Sequence, residues 1–154
     1  MKPPPGFGKG VTDYLNHYVS VADTKAAGVL TVDLALAGYL LTQNPAVSWS
    51  LWFHWIALLL LLASGGTALV ALYPRTPRIG SSLIFWEDVC SRATLEVYLK
   101  DLSQADEAEV ERQYGAQNHI VSGILKRKYK AVRWAMSALM GALPATVLKL
   151  IIGA

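Results

Sequence analysis

The sequence predicts an all-α membrane protein: a two-span hairpin plus a third C-terminal span, with a helical cytosolic module between spans two and three. The first observation is three apolar stretches, 26–42, 49–73 and 131–154. A crossing helix needs about 20 mostly apolar residues, within a range of about 17–25. The second is where the charge lies. Segment 1–25 holds Lys2, Lys9 and Lys25; segment 74–130 holds Arg75, Arg78, Arg92, Lys100, Arg112, Lys126, Arg127, Lys128 and Lys130; the link 43–48 carries no charge. By the positive-inside rule the N-terminus and the central segment are expected to be cytoplasmic and the link outside, as in a small inner-membrane protein. The third is composition: 16% charged residues against about 25% in soluble domains. The expected divisions are a flexible tail (1–11), an amphipathic entrance helix with the hairpin (12–73), the helical cytosolic module (74–130) and the third span (131–154).

The elements follow in order. Residues 1–10 read MKPPPGFGKG, with no apolar h-region or cleavage site, so no secretory leader is expected and the opening is an extended tail. Thr12 is a good N-cap, with Asp13 well placed against the helix dipole. Leu15, Tyr18, Val19 and Ala22 form an apolar stripe at helical spacing, and no breaker separates it from the first apolar run, so 12–42 reads as one helix. Asn44-Pro45 ends it in an outer turn. Trp49, Trp52, Phe53 and Trp55 open the second span as an interfacial aromatic belt. Pro74 and Pro77 stop that span and give an extended exit.

Leu83, Ile84, Phe85 and Trp86 are apolar but too few to span, and are expected at the interface or against neighbouring helices. A helix is expected over 87–102, and another from Ser103 with Asp106 as an acidic capping-box partner. Glu107, Glu109 and Glu111 suit its positive end. Val110, Tyr114, Gln117, Val121, Leu125 and Tyr129 continue one buried face into the basic run KRKYKAVR and the third span. In that span Pro144 is expected to kink the helix, and Lys149 to snorkel to headgroups.

Several functions are excluded by type. A net charge of +3 is too small for nucleic-acid binding, and the basic residues are better read as a topology signal. His17, His54 and His119 lie apart and read as interfacial or solvated; no HExxH, paired cysteine or GxSxG is present. No catalytic residues, no metal and no enzyme activity are expected, and no Walker loop or Rossmann fingerprint occurs. Cys90 has no partner for an intramolecular disulfide and fits a reducing compartment.

What remains is charge at special depths. Asp33 falls inside an apolar run about 12 Å below Lys25 by helical rise, where an aspartate costs about 2.5–3.5 kcal/mol on insertion scales. Ser64, Thr67 and Ser137 fall at the same depth. Asp33 reads either as a packing carboxyl or as the lining group of an ion or water path. Small residues form seams at Gly28, Thr31, Ala35 and Gly38, and at Ala131, Ala135, Ala138, Ala142 and Ala145. Such seams pack within one subunit or between subunits, and three spans bury so little that a homo-oligomer is favoured. At the membrane entrance Asp23 is expected to pair with Lys128 or Arg133. A free Lys25 or Lys128 is placed to contact a phosphate, with Tyr98 or Tyr129 stacking on a base.

Together YVSVADTKAAGVL before a span, a second span ending in YPR, LIFWEDV with a later VYL, and ILKRKYKAVRWA before a last span resemble the membrane effectors of Pycsar antiphage systems. The motif positions are Asp23, Thr24, Lys25, Pro74, Phe85, Trp86, Tyr98, Lys128 and Tyr129, and the resemblance runs over 19–142. Ala27 and Trp86 depart from the pattern without arguing against membership. The resemblance implies abortive infection: a pyrimidine nucleotide cyclase makes a cyclic pyrimidine mononucleotide (cUMP or cCMP), and the effector oligomerises or rearranges and impairs the membrane. No resident cofactor is implied beyond that activating ligand. Its expected anionic contacts are Lys25, Arg75, Lys128 and Arg133, with Tyr98 stacking, held by the helical module between subunits. The alternative is a non-signalling scaffold or accessory subunit of a transporter or channel.

Overall fold

The computed structural model describes residues 4–43, 48–75, 80 and 82–153. Among them the secondary structure is helical with no strand: α1 (Phe7–Leu41), α2 (Ser48–Leu72), α3 (Trp86–Cys90), α4 (Leu95–Gln104) and α5 (Glu107–Gly153). Three of these, α1, α2 and α5, are long and apolar enough to cross a membrane, α2 with a mean hydropathy of 2.2. The turn read at Asn44-Pro45 and the stop read at Pro77 lie outside the described residues.

The helices belong to two compact units, one of Met1–Val19 with Pro74–Leu125 and one of Ser20–Tyr73 with Lys126–Ala154. The second unit is where the apolar parts of α1, α2 and α5 meet. Its core is rich in alanine: Ala26, Ala71 and Val132 in one cluster, Val29, Ala68 and Ala135 in the next, and Leu40, Ala57, Leu61, Ala142 and Ala145 in a third. In lipid there is no hydrophobic drive between helices, so close approach of small side chains and the dispersion contacts it permits hold such a bundle. The alanine seam of α5 therefore packs inside the chain. The seam of α1 does not: Gly28, Thr31, Ala35 and Gly38 are all exposed, and a Cβ added at Gly28 or Gly38 meets nothing within 4 Å. Pro144 sits within α5 without ending it.

Two expectations for this unit are corrected. Lys149 is buried, not snorkelled, with its backbone carbonyl 3.5 Å from Ser50 Oγ. His54 is buried as well, its ring edge-on to that of the exposed Trp55 with centroids 5.7 Å apart.

In the first unit, side chains cap backbone groups across long sequence distances. The Glu111 carboxylate accepts from Gly6 N (2.8 Å) and Gly8 N (3.0 Å), filling donors that a helix N-terminus leaves without partners. This long-range cap starts α1 at Phe7, ahead of the expected Thr12. Thr12 is instead internal: its hydroxyl donates to Gly8 O at 3.0 Å and lies 2.7 Å from Asn118 Oδ1. Gly8 lets the elements approach, since a Cβ there would fall 2.6 Å from Tyr114 Cβ.

The segment before α3 is held the same way. Asp88 accepts from Gly80 N and Ser82 N, both at 3.1 Å, and Gln113 Oε1 accepts from Leu83 N at 2.6 Å. The expected helix 87–102 is two helices, because Thr94 is extended (φ −145°, ψ 164°) and its side chain accepts from Val97 N to cap α4. Likewise α5 starts at Glu107, not Ser103: Asp106 is itself the cap, accepting from Glu109 N at 2.7 Å.

Candidate functional site

The basic run and the α1 motif converge in the second unit. Lys128 is only 5% exposed. Its ammonium pairs with Asp23 of α1 and donates to Ala71 O of α2 at 2.7 Å. Ala71 lies in the last turn of α2, where backbone carbonyls lack helical partners and the dipole end is negative. One cation thus neutralises a carboxylate and caps a helix, joining three helices at one point. Of the two expected partners for Asp23, Lys128 is the one that pairs. The role of Ala71 was invisible in the sequence, since any residue contributes the same carbonyl.

Beside this clamp lies an open groove of about 290 Å³, lined by Lys25, Tyr129, Arg133, Ser137 and the apolar Val132, Met136 and Met140. The Lys25 ammonium sits 5.8 Å from the centre of the Tyr129 ring, a cation–π distance. Among the described residues neither Lys25 nor Arg133 carries an ion pair. Thr24, the remaining ADTKA side chain, is exposed and donates to Ser20 O at 3.0 Å.

Asp33 is 3% exposed, next to Leu30 and Gly65; a Cβ at Gly65 would lie 3.7 Å from Asp33 Oδ2. Neither carboxylate oxygen has a hydrogen-bond partner among the described residues. Ser64 is its polar neighbour, but that hydroxyl has one proton and donates it to Ala135 O at 2.9 Å. The expected polar layer is therefore only partly assembled: Thr67 bonds within α2, to Ala63 O and Ser64 O, and Ser137 is exposed in the groove.

The other candidate residues belong to the first unit. The Tyr98 hydroxyl donates to Leu83 O at 3.2 Å. Phe85 is buried at the N-terminus of α3, whereas Trp86 is 59% exposed. Pro74 and Arg75 follow the end of α2. Arg92 pairs with Asp101 beside an open cavity of about 300 Å³ that Gln104, Glu109 and Gln113 also line. No group of His, Cys, Asp and Glu able to hold a metal occurs among the described residues.

The family model that matches residues 8–153 is that of the Pycsar effector protein domain. The Pycsar effector protein SaPycTM of Staphylococcus aureus is 28% identical over 128 residues, which cover 78% of this chain and 77% of that protein. No solved structure matches the chain.

Proposed function

The chain belongs to the Pycsar effector protein family, and on that premise we propose that it is the bilayer-resident effector of an antiphage system, triggered by a cyclic pyrimidine mononucleotide. A functionally linked pyrimidine cyclase supplies the nucleotide; the effector then oligomerises or rearranges and impairs the inner membrane, ending infection with the cell. The observation that carries this reading is the family match over nearly the whole chain, joined to three helices apolar enough to cross a bilayer. Charge placement supports a cytoplasmic N-terminus and a cytoplasmic 74–130 module.

Oligomerisation has its own support. The α1 stripe of Gly28, Thr31, Ala35 and Gly38 is exposed within one chain, and stripes of that kind allow close helix approach in lipid. Asp33 supports a rearranging membrane segment: an intramembrane carboxyl without a hydrogen-bond partner among the described residues is more readily a path-lining group than a packing one.

Lys128 is committed to Asp23 and Ala71, so its role here is the clamp and not the nucleotide. We assign the nucleotide to the cytosolic module, with Arg75 meeting the single phosphate charge and the Tyr98 ring stacking on the pyrimidine; one cation and one aromatic suffice for a mononucleotide. Calorimetric titration of the full chain with cyclic UMP and cyclic CMP tests this. Heat with one or both is expected, weakened by Arg75→Gln. No heat at high protein concentration removes direct binding.

A further inference from the structure

We propose that the groove between Lys25 of α1 and the Tyr129–Arg133–Met140 face of α5 binds an anionic glycerophospholipid, its headgroup phosphate between Lys25 and Arg133 and one acyl chain along Val132, Met136 and Met140. The lining is divided by chemistry in the way a lipid is. Lys25, Tyr129 and Arg133 form the polar end; Val132, Met136 and Met140 form the apolar part, in which Ser137 is the one hydroxyl. On α5 the positions 129, 132, 133, 136 and 140 recur at spacings of three and four, which puts them on one helix face. From Val132 to Met140 the apolar part rises about 12 Å, most of the half-thickness of about 15 Å of a bilayer's hydrocarbon core. The apolar part therefore runs along most of the depth of one leaflet.

Charge makes the occupant anionic. Lys128 is neutralised by Asp23, while Lys25 and Arg133 bear no ion pair among the described residues. Both project from helices at the basic run that marks the cytoplasmic boundary, where anionic headgroups collect around Lys and Arg. The two methionines suit an acyl chain, since an unbranched thioether side chain adapts to irregular apolar contact. A free nucleotide fits less well. The Tyr129 face is already occupied by the Lys25 ammonium, and the only neutral polar groups in the lining are the Tyr129 hydroxyl and Ser137, few for reading a base edge.

The test is native mass spectrometry of the full chain in a neutral detergent, titrated with phosphatidylglycerol and with phosphatidylcholine of the same acyl chains. Retention of phosphatidylglycerol over phosphatidylcholine is expected. Each removed cation weakens it about fivefold, so K25Q/R133Q together weaken it about twenty-five-fold. The control K126Q/R127Q, which loses the same charge from two exposed positions, keeps the preference. Met136→Asn retains both cations and weakens both lipids alike, so the acyl contact is read separately from the headgroup contact. Equal retention of the two lipids, equal loss in the two double variants, or an unchanged Met136→Asn overturns the proposal. So does displacement of phosphatidylglycerol by millimolar glycerol phosphate or cyclic UMP, which would make the occupant a free phosphate.

Discussion

Lys128 is buried while its partner Asp23 is partly open, with side-chain exposures of 6% and 38%, and this asymmetry has a measurable consequence. Asp23→Ala leaves a buried ammonium with only the Ala71 carbonyl, and breaking a buried pair in this way costs about 3 kcal/mol or more. Lys128→Met leaves a carboxylate that water can reach and fills the space with apolar atoms, so it costs about half as much. Thermal unfolding in detergent should place Asp23→Ala well below Lys128→Met; the reverse order contradicts the clamp. At Asp33 the expectation has the opposite sign. A neutral amide in place of a buried carboxyl without a partner raises thermal stability, as commonly happens when a strained functional group is removed. The same Asp33→Asn chain should lose most of its nucleotide-triggered depolarisation. A less stable variant with unchanged depolarisation would make Asp33 a packing residue.

At the scale of elements, the start of α5 depends on pH. Arg112 holds the Glu109 carboxyl in a two-nitrogen grip (2.7 and 2.8 Å), Gln113 donates a further bond at 2.8 Å, and together they bring its pKa down to about 2. The folded value lies below the unfolded one, so this contribution is complete above about pH 4.5 and is lost as pH falls toward 2. Arg112→Gln should shift the carbon-13 titration of the Glu109 carboxyl upward toward the ordinary glutamate value; an unmoved midpoint rules out the Arg112 grip as its cause. The elements also show what local sequence can carry. The hydropathy runs specified the three long apolar helices, because each run contains its own cause. Helix starts were misplaced wherever the cap is remote or ambiguous. α1 begins early because Glu111, more than one hundred positions away in sequence, caps Gly6 and Gly8. Thr94 and Asp106 displaced the expected boundaries because each competes with other acceptable caps nearby. The Asp23–Lys128 pair was legible, being two opposite charges at one expected depth. The groove was legible only as a list of cations, since its apolar lining looks like any span.

For the whole molecule, family membership and three apolar helices give a membrane effector, and the two small-residue seams differ in what they meet. The α5 alanines close the bundle within one chain, whereas the α1 stripe stays exposed and is the surface on which the proposed second copy would pack. In the proposed mechanism, cyclic pyrimidine nucleotide converts this chain from a tolerated membrane protein into a damaging one. Its most direct test is membrane potential in bacteria expressing the chain with an active pyrimidine cyclase or with a catalytically dead one. Depolarisation and growth arrest are expected only with the active cyclase. A membrane potential that is the same in both cultures, at equal levels of membrane-inserted protein, would contradict it.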